Sequence, residues 1–212
     1  MFSTDCTLLN EFQHSESEGV FNIPSLAGIK DIHAPVNFIG FDKAIAIRKQ
    51  DLGVHFYLDD YRFERFWKNP YRYIPILKHF SCALTPDFSL YVDMPKAMQI
   101  WNIYRSRLLG QMMQRAGITV IPSVSWSNHE SFAFCFDGLP RKSVVSVSNV
   151  GVLRNKEAFQ LFKDGLTEMI AILDPTAIIF YGKKMTIDRG DIALYNYENT
   201  NFRWKNQKSN VY

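Results

Sequence analysis

The sequence predicts an α/β fold with a mostly parallel sheet of about six to eight strands and alternating helices, partial or reduced TIM-barrel-like in arrangement. Short apolar runs at 36–41, 54–58, 82–84, 118–124, 144–147 and 177–181 suit strands buried on both faces. Helical periodicity fills most of the intervals, and that alternation implies parallel strands joined by right-handed crossovers. No glycine-rich phosphate loop follows the first runs, which favours the barrel-like arrangement over the alternative, an open doubly wound sheet.

The chain of 212 residues can bury a substantial core, and 47% hydrophobic with 15% aromatic residues marks a folded rather than a disordered protein. Residues 1–35 read as an irregular N-terminal arm around SESEG, Pro24 and Pro35. Residues 36–195 read as a single α/β domain, and 196–212 as a polar C-terminal tail, with a final short strand from Tyr195.

Within the domain, DDYRFERFWKNPYRYIPILKHF must break at Asn69-Pro70, giving a short helix and a second one through Ile74 and Leu77. The segment 85–95, TPDFSLYVDMP, alternates polar and apolar residues as an extended strand does. The strongest helix covers 95–116. Pro95 suits its first turn, Ala97, Trp101, Tyr104, Leu108 and Met112 form its apolar stripe, and Gly117 ends it. Its arginines, Arg105, Arg107 and Arg115, fall on the polar side and are expected to face solvent. Ser127 to Glu130 has capping-box spacing. Asn155 can cap a last helix that stops at Asp174-Pro175.

The net charge of +3 argues against a dedicated nucleic-acid binder, so nucleic acid is an unlikely partner. Cys6, Cys82 and Cys135 are scattered, without metal-ligand spacing, and read as reduced thiols with no metal site. No signal peptide and no apolar run near the ~20 residues of a membrane span is visible. A soluble, cytoplasmic protein is the expectation, with no membrane partner and a possible homo-oligomer.

Parallel sheets bind ligands at the carboxyl ends of their strands. After each apolar run come, in order, Asp42; Asp59 and Asp60; Asp87; Trp126 with Ser127, Asn128 and His129; Ser148 and Asn149; and Lys183. Asp59, Asp60 and Asp87 are the candidate catalytic carboxyls, with Trp126, Asn128, His129, Asn149 and Lys183 as ligand-binding candidates.

Each candidate has a plainer alternative. Asp59 or Asp60 can be an N-cap, His129 a surface turn residue, Trp126 packing, and Lys183 a solvated charge. His55, inside an apolar run, reads as a satisfied core histidine. Asp93 is the expected cap of the long helix. If 87–93 were extended, its two aspartates would lie ~20 Å apart, beyond the ~5–10 Å of a glycosidase-type pair. Any catalytic pair therefore joins Asp87 to Asp59 or Asp60 across neighbouring strands.

HFYLDDYRFERFWKNP, TPDFSLYVDMP, RAGITVIPSVSW, GLP, SVSNVG and IIFYG, in that order, resemble a family of bacteriophage, plasmid and Gram-positive bacterial proteins known only as a domain of unknown function. The resemblance covers roughly residues 38–185. It implies a phage or mobile-element protein in the host cytoplasm and supplies no reaction and no cofactor. From the residues themselves, the expected function is a pocket for a polar small molecule, nucleotide- or sugar-like, with hydrolysis as its catalytic version. The alternative is a non-catalytic accessory protein that binds a host protein through the aromatic run 61–73.

Overall fold

The computed structural model describes residues 7–47, 50–188 and 190–199. The parallel strands fall into two sheets rather than one. The first orders β3 (Asn37–Gly40), β4 (Leu52–His55), β5 (Cys82–Leu84) and β6 (Val120–Ile121). The second orders β7 (Val144–Ser148), β8 (Ala177–Tyr181) and β9 (Ala193–Tyr197). All neighbours within them run parallel. Preceding both is a small antiparallel pair, β1 (Ser17–Glu18) with β2 (Ile23–Pro24). The polar tail expected over 196–212 begins inside β9, which runs to Tyr197, and its part beyond residue 199 lies outside the described residues.

The two parallel sheets touch where β6 ends. A single parallel bridge pairs Ser123 with Ser146, and Val124 N and Ser146 N donate to Ser146 O and Pro122 O, both at 2.8 Å. At the outer edges Phe38 of β3 and Tyr197 of β9 meet edge to face at 4.8 Å between ring centroids. No backbone ladder joins β3 to β9 among the described residues, so the sheets do not form a closed barrel.

Side-chain alternation divides the strands between two environments. Phe38, Leu84, Ile121, Val144 and Ile179 share one cluster on a common face. The opposite faces pack against the helices. Val54, Ala83 and Val120 join one helical layer, and Val145, Val147, Ile178 and Phe180 another.

The helices fill the crossovers: α1 (Phe41–Ala44), α2 (Glu64–Lys68), α3 (Pro70–Leu77), α4 (Lys96–Arg115), α5 (Phe132–Cys135) and α6 (Lys156–Leu173). Asn69 separates α2 from α3 and accepts from Arg72 N, so the Asn-Pro break falls where proline chemistry demands. Asn155 caps α6 by accepting from Glu157 N at 2.8 Å and Ala158 N at 3.2 Å.

Helix α4 overturns two expectations. Its start is not capped by Asp93, which is exposed; Pro95 occupies the cap position without a side-chain hydrogen bond. Its arginines do not form a solvent-facing row, because Arg107 is 1% and Arg105 9% exposed. Burial is tolerated because most of their donors are met. Arg105 Nη1 donates to both Glu64 oxygens at 3.0 and 3.1 Å, and its Nη2 to Asn102 Oδ1. Its guanidinium also lies 3.8 Å from the Phe88 ring centroid. Arg107 donates to Ser123 O and Cys135 O, each at 3.1 Å.

Arg115 alone of the three is exposed, as expected, and pairs with Glu16 and Glu11. The polar side of α4 is thus an attachment surface for neighbouring chain. Gln111 donates to Glu16 O and Ser25 O, and Gln114 bonds both backbone groups of Ala27. The N-terminal end of the helix does the same for the segment that carries Asp87.

Candidate functional site

A cavity of about 590 Å³ opens at the carboxyl ends of β4 to β7. Tyr57 enters from beyond β4, residues 87–92 from the segment after β5, 124–127 from beyond β6, and 148–152 from beyond β7. The first turns of α6, through Glu157, Ala158, Leu161 and Phe162, close the far side.

The segment 85–95 is not the strand its alternation suggests; it runs as loop and turn after β5. Side chains from elsewhere satisfy its backbone in place of a ladder. Asn102 donates to Ser89 O at 2.8 Å, and Gln99 to Met94 O at 2.8 Å and Tyr91 O at 3.3 Å. Asp60 accepts from Ser89 N and, at 2.8 Å, from Ser89 Oγ. Ser123 fixes the start of the segment twice over, its hydroxyl donating to Thr85 O at 2.8 Å and its N–H donating to Thr85 Oγ1 at 2.9 Å. The loop is therefore held in a fixed path above the strand ends.

That path places Asp87 in the cavity wall with an atypical environment. Its Oδ1 is sealed from solvent and has no hydrogen-bond partner. Burial pushes its carboxyl up to about 7, a hydrogen bond with Ser125 opposes the rise, the nearby Asp60 adds to it, and Arg107 opposes it. A sealed, unpartnered oxygen costs less as the carbonyl of a neutral acid than as half of a carboxylate. At neutral pH the group divides between acid and base forms, which suits proton transfer.

Beneath the cavity lies a closed polar network. Ser146 Oγ donates to Ile179 O, so the Tyr57 hydroxyl donates to Ser146 Oγ at 2.8 Å. His55 Nδ1 accepts from Tyr57 N at 3.2 Å, which leaves the proton on Nε2, donated to Tyr181 Oη at 3.1 Å. Burial, aided by Lys43, pulls His55 down to about 3. The histidine stays neutral and holds the floor rather than serving as a base.

The structure brings together only part of the expected rim. Asp87 and Trp126 line the cavity. Asp60 stands behind it, bonded to Ser89, and its carboxyl is raised by burial against the pull of those bonds. Neither Asp59 nor Asp60 caps its own turn through a side chain: Asp59 is exposed, and Asp60 reaches across to the 85–95 segment. Asp42 lies away from the cavity in an ion pair with Arg62 at 2.6 Å.

Asn128 caps the turn at 129–131 by accepting from Ser131 N, the cap falling one residue later than the Ser127 spacing implied. His129 is exposed and faces Asp164 at 3.2 Å. Asn149 clamps the turn after β8, accepting from Lys183 N and donating to Lys183 O, beside Gly182 at φ +135°. The Lys183 side chain is exposed outside the cavity lining. Trp126 donates to Leu161 O at 3.0 Å and stacks on Phe162 at 5.6 Å. A Cβ at Gly165 would overlap the Trp126 indole, so glycine there admits the ring against α6.

Tyr57, Ser125 and Glu157 were not singled out from sequence. Ser123, Ser125 and Ser127 alternate after β6, and that period of two is the signal that places Ser125 and Ser127 in the wall. Among the described residues, no group of three or more His, Cys, Asp or Glu could hold a metal ion, and no helix is long and apolar enough to cross a membrane. Cys82 and Cys135 are buried free thiols, each pushed up to about 12 by burial, while Cys6 lies outside the described residues.

A family model described as a domain of unknown function (DUF4417) matches residues 15–198. The chain is 45% identical over 139 residues to the Gene 1 protein of Mycobacterium phage L5, an alignment covering 66% of this chain and 61% of that protein. It is 44% identical over 130 residues to the Gene 1 protein of Mycobacterium phage D29, covering 61% of this chain and 48% of that one. The chain thus spans less than two thirds of these relatives' length. No solved structure matches it.

Proposed function

Since the chain belongs to the DUF4417 family, whose description names no reaction, we propose from geometry that it is a small-molecule binding protein whose cavity at the strand ends takes a polar ring compound, with Asp87 as its proton donor or acceptor. The observation that carries this reading is the Asp87 carboxyl, sealed at Oδ1 without a partner, in the wall of a cavity of about 590 Å³. A desolvated acid poised near neutrality costs folding stability, and sites for ligands are where such costs collect.

The two sheets serve as one barrel-like wall within a single α/β domain that begins near residue 36; its expected end at 195 falls inside β9 (Ala193–Tyr197), so the domain includes that strand to its end. The Ser123–Ser146 bridge and the Phe38–Tyr197 contact favour this over an open doubly wound sheet. Hydrolysis requires a second acid or base. Asp60 couples to the cavity through Ser89, and Glu157 stands on the α6 side. The aromatic run 61–73 supports a protein-binding role less well. Phe63, Phe66, Trp67 and Tyr73 are at most 8% exposed, leaving Tyr61 and Tyr71 as its open aromatics.

Ala158 lines the cavity and is half-buried, so Ala158→Trp blocks the space with little demand on the core. In thermal-shift assays against a panel of nucleosides, nucleotides and sugars, with product analysis of each mixture, at least one compound should stabilise the wild type and leave Ala158→Trp unmoved. Stabilisation by none, or by the same compounds in both proteins, overturns the reading.

A further inference from the structure

Resting on that reading of the cavity, we infer that its ligand is an unphosphorylated nucleoside-class molecule: a flat ring with an amino group, joined to a hydroxylated portion and carrying no phosphate.

Charge is the first ground. Among the described residues lining the cavity there is no Lys or Arg, whereas two, Asp87 and Glu157, are acidic. Against these described lining residues a phosphate meets like charge without a countercharge, and like-charge juxtaposition is strongly unfavourable in a partly desolvated space. The two buried cations behind the lining already spend their Nη groups on the protein, Arg105 on Glu64 and Asn102 and Arg107 on Ser123 O and Cys135 O.

The second ground is the start of α6. A helix N-terminus is the usual phosphate cradle because its first N–H groups lack partners. Here the Asn155 side chain accepts from Glu157 N and Ala158 N, and Glu157 puts a carboxyl in the first turn. The anion site that the fold would otherwise offer is filled by the protein's own cap.

The lining itself separates a nucleoside from a free sugar. Phe88, Leu90, Val124, Val152, Leu161 and Phe162 give broad apolar walls. A pyranose carries hydroxyls around its whole edge and would leave several of them unpaired against such walls. A base fits them by its faces, with its hydroxylated portion placed among Ser89, Ser125, Ser127 and Ser148. Asp87 then accepts from an exocyclic amine or donates to a ring nitrogen, according to its protonation.

Calorimetric titration of the full chain with adenosine, cytidine, their 5′-monophosphates and methyl glucoside tests this. At least one nucleoside should bind the wild type, its monophosphate at least tenfold more weakly, and Ala158→Trp and Asp87→Asn should each weaken the nucleoside at least tenfold. A monophosphate that binds as tightly as its nucleoside, or methyl glucoside binding in preference to both nucleosides, overturns the inference while leaving the cavity reading in place. Failure of both nucleosides to bind overturns it too. Nucleoside binding unaffected by Ala158→Trp removes the inference and the cavity reading together.

Discussion

Asp87→Asn should make the protein more stable at pH 8 and leave it unchanged near pH 3. The folded-state carboxyl is pushed up to about 7, chiefly by burial, against about 3.9 for an unfolded aspartate. Below pH ~4 both states hold the proton, and the group adds nothing to the pH dependence. Between ~4 and ~7 the unfolded chain releases a proton that the folded chain keeps, so wild-type stability falls as pH rises. Above ~7 the penalty is constant, with an upper bound on the order of 4 kcal/mol. Asparagine removes that slope and, with it, the proton that the proposed site uses. Urea unfolding of both proteins from pH 3 to 8 measures the difference. Parallel curves, or a variant less stable than the wild type at pH 8, would contradict the environment assigned to Asp87.

Arg107→Ala should destabilise by about 2–6 kcal/mol, taking ~1–3 kcal/mol for each of the two buried carbonyls it orphans. Against a typical domain stability of ~5–15 kcal/mol that is a large share. Ser123 O lies at the junction of the two sheets and Cys135 O ends α5, so Arg107 joins three elements through one planar group. Arg107→Lys should restore less than half of the loss, because a single ammonium cannot reproduce the guanidinium fork. Denaturant midpoints at constant slope report this. A loss below ~1 kcal/mol for the alanine variant would show that water replaces the guanidinium.

These two residues also mark how far the sequence could be read. The strands 82–84 and 177–181 were legible to their ends, because continuous apolar runs bounded by polar residues leave little choice. The α2–α3 break followed from proline, and the α6 start from Asn155. Arg107 was not legible. Its helical position looks solvent-facing by period, and only carbonyls 16 and 28 residues away make its burial tolerable.

The 85–95 segment failed for the same reason. Its alternation is strand-like locally, but Gln99 from the next helix, and Asn102 and Asp60 from 13 and 29 residues away, supply the partners that a ladder would otherwise provide. Among the candidate site residues, the general rule about carboxyl ends of strands points to the end of the fold where the cavity opens. It could not distinguish Asp87, which turns into the cavity wall, from Asp59, which is exposed, since both follow a strand at similar spacing.

The most direct measurement is the pH titration of the Asp87 carboxyl by carbon-detected NMR, assigned by its loss in Asp87→Asn. The expected midpoint is near 7, as for a sealed acid in the cavity wall. A midpoint near 4, that of a solvated aspartate, would contradict the site.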